Sequence, residues 1–363
     1  MPSVRRVIKL LGGRLDEVRT LVRKRERQEC PKRRQRKLDA GTTFCMLLAQ
    51  TVLGLPSVLA MVAWLGDHAR FGRVPRLDLP VASEAAITRA LRRLEPSWLL
   101  EVMAGWVAEL PAAVLRGLPQ EVREVFRSGG SWFRATPKMT FAVWQDSTHR
   151  ALKLVASVSR TGALRIVVAA GKASERALLL SQVRRGDLHV IDRGYPALSF
   201  FWSLHDKGVF FVARLSRAWD ISRVLRQAEI CEADRRRGIL ADQIVLVGAG
   251  QHAFTVRIVK FKDLSGRVYL FATNLLKLPA TDIADLYHER WRVEILFRFV
   301  KQFVGARLTI RNQQAANSRL IAAFMVALLL LLLYRESAST AALEPTVRWL
   351  RRVRAAVEAM TFT

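Results

Sequence analysis

Apolar positions recur along this chain in two rhythms, and the change from one to the other divides it. Up to about residue 135 they fall at three- and four-residue spacing, the period of packed helices. Basic VRTLVRKRERQECPKRRQRKL leads into apolar TTFCMLLAQTVLGLPSVLAMVAWLG, and SEAAITRALRRL starts from Ser83, an N-cap residue. That last helix reads either as a recognition helix or as a solvated Arg-bearing face. After SGGSWFRATPK the period falls to two. MTFAVWQDS stops on Asp146, ALKLVASVS and ALRIVVAAG follow as strands, SERALLLSQVRR is a helix, and DLHVIDRGYP is a buried strand ending at Asp192. The order is β-β-β-α-β, continued by a helix, ALSFFWSLHDKG, and a strand, VFFVARLS. From Trp219 to Asn274 the pattern is an antiparallel meander.

A single helix is expected next, from near Thr281 with Thr281 or Asp282 as its cap, through LYHERWRVEILFRFVKQF, Leu286 to Phe303. On one helix Tyr287, Arg290, Glu294 and Lys301 would share an arc of about 60°. Leu296, Phe299 and Phe303, flanked by Val293 and Val300, lie opposite and would seat the helix on a core. An apolar helix and an amphipathic one, EPTVRWLRRVRAAVEAM, complete the chain. The expected regions are 1–135, helical and basic; 136–310, α/β with a β-rich insertion at about 217–275; and 311–363, helical.

Composition changes this picture in one respect. Lys and Arg number 59 against 31 Asp and Glu, a net charge of +28, and such self-repulsion is relieved by a polyanion, nucleic acid above all. Lys32, Arg33, Arg34, Arg36 and Lys37 form a cluster suited to phosphate contact, without sequence preference. Cys30, Cys45 and Cys231 are scattered and have no metal-ligand spacing, which fits a reducing cytosol and excludes a zinc site. The N-terminus has no sustained apolar stretch with a cleavage site, so no secretory leader is expected. The run Leu320–Tyr334 is shorter than the roughly 17 residues a spanning helix needs and reads as a buried core helix, with a membrane segment as the lesser alternative.

Three acids stand out. Asp146 and Asp192 end strands, and Glu294 lies among basic residues on the helix. If the first and fourth strands are neighbours, the two aspartates meet, and close carboxylates repel unless a cation joins them. Two Mg²⁺ ions, for which Mn²⁺ can substitute, would be held by Asp146, Asp192 and Glu294 and would serve phosphoryl transfer. The alternatives are ordinary: a strand-end Asp is also a turn residue or cap, and Arg290 with Glu294 is also an i, i+4 ion pair.

The spacing Tyr287-x2-Arg290-x3-Glu294-x6-Lys301 resembles the Tyr-Arg-Glu-Lys signature of the "family four" type of insertion-sequence transposases, and QDST, DRGY and FATNLL resemble its other blocks. The resemblance implies a ribonuclease H-like catalytic core with an Asp, Asp, Glu triad and a β-rich insertion before the helix carrying Glu. It implies cut-and-paste transposition, by hydrolysis at the element's end, a hairpin, its resolution and strand transfer. Double-stranded DNA with terminal inverted repeats, target DNA, a homodimer on paired ends and a bacterial cytoplasm near the nucleoid go with it. Tyr287, Arg290 and Lys301 would hold the DNA backbone. Trp219 would stack on a flipped base, unless it is a core residue. An inactive DNA-binding derivative is the alternative.

Overall fold

In the computed structural model the described residues are 4–31, 38–55, 57–74, 78–108, 118–146, 148–159, 161, 163–195, 197–216, 219, 221–304, 308, 310 and 312–337. The side chains at 4–11, 73–74, 291–292, 295, 299, 302–304, 330–331 and 333–337 are excepted. The basic cluster at 32–37 and the C-terminal amphipathic segment lie outside them, as do the side chains of Phe299 and Phe303.

Local signals start the N-terminal helices. α1 (Val4–Glu29) is followed by α2 (Ala40–Leu53), whose cap Asp39 accepts a hydrogen bond from the Thr42 N–H at 2.7 Å. Ser57 caps α3 (Val58–His68). A two-stranded hairpin, β1 (Arg73–Val74) with β2 (Leu79–Pro80), interrupts the helices that the sequence pattern predicts here. Ser83 caps α4 (Glu84–Leu91) as expected; Ile87, Ala90 and Leu91 are buried and Arg89 and Arg92 are exposed, an arrangement compatible with both readings of this helix. α5 (Pro96–Ala108) completes the group.

Among the described residues the main sheet has nine strands. β3 (Glu124–Ala135), β4 (Arg150–Ser159) and β5 (Leu164–Ala170) are antiparallel neighbours. α6 (Glu175–Leu180) leads to β6 (Asp187–Ile191), and α7 (Leu198–Asp206) to β7 (Phe210–Leu215). β6 lies parallel to both β3 and β7. β8 (Ile221–Gln227), α8 (Glu232–Arg236), β9 (Ile239–Val247), β10 (Phe254–Lys262) and β11 (Val268–Thr273) follow. The spatial order is β5-β4-β3-β6-β7-β11-β10-β9-β8, so the meander does not stand apart but extends the sheet from β7.

Two expectations need correction. The first core strand is β3, within the stretch expected to be helical, whereas residues 139–146 form turns with one isolated bridge, Val143 to Arg150. The α/β region therefore begins before residue 136. The single long helix is two: α9 (Ala280–His288) and α10 (Trp291–Val304), separated at Glu289 and Arg290, with Pro279 rather than Thr281 or Asp282 at the N-cap. Glu289 at this break is tied to Arg127 of β3 at 2.6 Å, a long-range pair that no local periodicity signals.

α11 (Gln313–Ser337) carries the apolar run, and its residues from Leu320 to Leu329 are buried against α2, α5 and α10. Among the described residues no single helix is long and apolar enough to cross a membrane; the bent pair α2 and α3 passes by length and composition only. One sheet face packs on α10, α11 and the N-terminal helices, and the other on α6 and α7.

Beneath the start of β6, Asp187 accepts hydrogen bonds from the Arg165 guanidinium and the Arg184 N–H. Burial pushes its carboxyl up, but the neighbouring His189 imidazole, 3.6 Å away, and the Arg165 guanidinium outweigh this and hold it at about 2. A depressed folded pKa stabilises above the unfolded value of about 3.9 and the contribution disappears as pH falls toward the folded one. Asp187→Asn should therefore lower stability by about 2 kcal/mol at pH 6 and flatten its decline between pH 4 and pH 2, as urea unfolding across that range would read.

Candidate active site

β6 ends on a buried residue, Ile191, at the C-terminal end of an interior strand, and the chain turns at once: the Tyr195 N–H donates to the Asp192 carbonyl at 3.2 Å. This leaves the Asp192 side chain partly exposed at the mouth of a cleft of about 630 Å³. Its Oδ1 accepts from the Arg193 N–H at 2.7 Å and from the Tyr287 hydroxyl at 3.2 Å. Arg290 Nη2 lies 3.8 Å from the same oxygen and also donates to Glu294 Oε1. One guanidinium nitrogen thus reaches both carboxylates.

Arg290 is itself buried, its Nε has no hydrogen-bond partner among the described residues, and its guanidinium stands 5.6 Å from the centre of the Tyr287 ring. Burial pulls its pKa down, but Tyr287, Asp192 and Glu294 more than compensate, so the charge is retained. Burial raises the Tyr287 phenol, with Asp192 adding to the effect, and keeps it a neutral donor. An orphaned buried N–H beside a fixed positive charge is matched to an anionic oxygen such as a phosphate's.

Tyr287 comes from α9 and Glu294 from α10, so the four residues do not form one helical stripe. The break brings Tyr287, Arg290 and Glu294 onto Asp192 from two helices. Lys301 is exposed and lies about 10 Å further along α10 by the helical rise, beyond the lining of the cleft.

The opposite wall was not foreseen from the sequence. Arg214, Phe261, Asp263, Arg267, Tyr269 and Phe271 line it, with Arg214 stacked over the Tyr269 ring at 4.7 Å and the Asp263 carboxylate accepting from the Ser265 and Tyr269 hydroxyls. The period-two placement of Tyr269 and Phe271 in RVYLFAT, on one face of β11, was the available signal.

Two proposed residues lie elsewhere. Asp146 accepts from the Thr148 hydroxyl and N–H, both at 2.7 Å, and from the His149 N–H at 2.8 Å and its imidazole at 2.7 Å. These bonds, the Thr148 hydroxyl foremost, hold its carboxyl well below the usual range. Its turn follows the Val143–Arg150 bridge, and Arg150 pairs with Ala135 at the far end of β3. Extending the β3–β6 register sets Asp192 level with residue 129, so the turn lies six residues, about 20 Å, further along the sheet. The expected meeting of Asp146 with Asp192 required residues 139–147 to be the neighbouring strand, and β3 has that place instead. Trp219 packs on Phe201 with ring centres 5.1 Å apart, in the core under α7 and away from the cleft lining.

The family "Transposase DDE domain" matches residues 129–329, more than half of the chain, and the chain belongs to that family. It is similar to a probable transposase for insertion sequence element IS5377 from Geobacillus stearothermophilus, 40% identical over 82 residues, which is 22% of each chain. It is also similar to the putative transposase y4zB from Sinorhizobium fredii, 28% identical over 153 residues, 41% of this chain and 43% of the relative. The chain thus matches less than half the length of these relatives.

DDE transposase domains generally use divalent metal ions. Among the described residues no group of three or more His, Cys, Asp or Glu side chains is placed to hold one. Of the three carboxylates in the cleft lining, Asp263 is engaged by Ser265, the Arg267 N–H and the Tyr269 hydroxyl, while Asp192 and Glu294 share Arg290; these two suit one ion of the kind that completes its shell with water and substrate phosphate, but not two bridged ions.

Proposed function

We propose that the chain is an insertion-sequence transposase whose cleft grips and cuts DNA at an element's end. The observation that carries this is the convergence of Asp192, Tyr287, Arg290 and Glu294 on one basic cleft inside the family-matched region. A ribonuclease H-like core is supported by the run of three antiparallel strands followed by two parallel crossover strands. The spacing of Tyr287, Arg290, Glu294 and Lys301 supports the "family four" signature as the finer assignment.

In this reading Arg290 receives the phosphate next to the scissile bond, replacing its contacts to the two carboxylates by charge-assisted bonds to phosphate oxygens. Tyr287, whose hydroxyl is neutral, donates to Asp192 or to a phosphate oxygen and fixes the approach. Lys301 meets the backbone further along the duplex as an exposed point charge. One divalent ion, Mg²⁺ with Mn²⁺ able to substitute, would be held by Asp192 and Glu294 and would supply Lewis-acid stabilisation of the charge on phosphate. The substrates are double-stranded DNA with terminal inverted repeats and a target duplex, joined by a homodimer on paired ends in a bacterial cytoplasm.

The test is a labelled fragment carrying the element's terminal repeat, incubated with the protein and Mg²⁺. Breaks at the element's end, passing through hairpins, are expected. Binding without breaks would support the inactive DNA-binding derivative, and the absence of end-specific binding would overturn both.

A further inference from the structure

β3 and β6 run parallel, with Val125 beside Leu188 and Arg127 beside Val190. Two steps further in this register Gly129 stands beside Asp192. Neighbouring strands are about 4.8 Å apart, and side chains of laterally paired residues leave the sheet on one face. The contents of that face are known. Val125, Leu188 and Val190 pack in the core that includes α9, and a Cβ at Gly129 would meet Phe297 at 3.5 Å and Val293 at 3.6 Å, both on α10. Val293 adjoins Glu294, so residue 129 is the point on the sheet from which a side chain would enter the space between Asp192 and Glu294.

The glycine is not demanded by its own backbone. Its φ is not in the left-handed region, and the two contacts a Cβ would make are ordinary ones. Gly130 differs, because a Cβ there would come within 2.5 Å of Glu175 Oε1. Side chains alternate between faces along a strand, so Glu175 lies across the sheet from the cleft. Asp146 is held in its own turn about 20 Å away along the sheet by the same strand spacing. Asp263 lines the opposite wall, where both of its oxygens are taken up, Oδ1 by Ser265 and the Arg267 N–H and Oδ2 by the Tyr269 hydroxyl. None of the three acids stands beside Asp192 as a third ligand.

We infer that position 129 is where the third carboxylate of a two-cation site would stand, and that glycine there leaves the cleft with ligands for one divalent cation. This rests on reading the cleft as a cation-dependent phosphoryl-transfer site. Gly129→Asp places the missing ligand beside Asp192, whereas Gly129→Ala adds only the Cβ.

The experiment is Mn²⁺ titration of the full chain, followed by electron paramagnetic resonance, for wild type, Gly129→Asp, Gly129→Ala and Asp192→Asn. Wild type is expected to bind one ion that Asp192→Asn releases, and Gly129→Ala to match wild type. Gly129→Asp is expected to take a second ion, or to hold the first about tenfold more tightly, as an added ligand charge does. Equal binding by the Asp and Ala variants, with the Asp192→Asn effect intact, would overturn the inference alone. Should Gly129→Asp not fold, wild-type stoichiometry decides: two ions released together by Asp192→Asn would show that another group provides the third ligand and would overturn the inference. Mn²⁺ binding unchanged by Asp192→Asn would remove the cation cleft, and the inference with it.

Discussion

Glu294→Gln is expected to bind element-end DNA as wild type does and to cut it roughly a thousandfold more slowly or worse. The substitution preserves shape and an acceptor for Arg290, so the grip on phosphate survives. It removes one of the two carboxylates that Arg290 reaches in the cleft, and with it the charge that a cation needs. Glu289→Gln is the matched comparison. Glu289 faces Arg127 at 2.6 Å, outside the cleft lining, and its loss should lower thermal stability while leaving the cutting rate near wild type. Gel-resolved cleavage with parallel binding curves reads both, and equal cutting by Glu294→Gln and wild type would remove Glu294 from the site.

The parts of this site that were legible in the sequence are those whose chemistry and local pattern agree. β6 is a short buried run that stops on Asp192, and Glu294 sits on an amphipathic helix whose buried residues Val293, Leu296 and Val300 keep the expected period. The meander was legible because alternation and turn residues mark each of its strands. What was hidden depends on distant partners. β3 contains Ser128, Gly129, Gly130 and Ser131 in its middle, a composition that reads as a turn. It is held as a strand by pairing on both sides with β4 and β6. Once β3 was missed, residues 139–147 took its place, and Asp146 was brought to a neighbour it does not have. The break between α9 and α10 is invisible for a similar reason, since Arg127 and Glu289 are 162 residues apart. Trp219 carried an aromatic face but no information about which side of the sheet it would meet, and Phe201 decides that.

Asp242→Ala should destabilise the protein by about 3–5 kcal/mol, because it strands a charge inside the sheet. Arg257 of β10 makes a two-pronged pair with Asp242 of β9, Nε to Oδ1 at 2.7 Å and Nη2 to Oδ2 at 2.6 Å, and both residues are buried. Its remaining nitrogen donates to the carbonyls of Leu276 and Leu278, in the segment that leads from β11 into α9. Without Asp242 the guanidinium either stays buried and uncompensated or swings toward the adjoining cavity of about 330 Å³, releasing those carbonyls. Replacing both partners by apolar residues, Asp242→Leu with Arg257→Met, should cost markedly less than Asp242→Ala, since no charge is left behind. Urea unfolding of the three variants measures this, and a cost below about 1 kcal/mol for Asp242→Ala would mean that solvent already screens the pair. The segment bound by Arg257 positions α9, and α9 carries the Tyr287 that meets Asp192. Asp242→Ala should therefore also weaken DNA cutting under conditions where the chain remains folded, whereas the apolar double variant, which lacks the same anchor, separates loss of stability from loss of alignment.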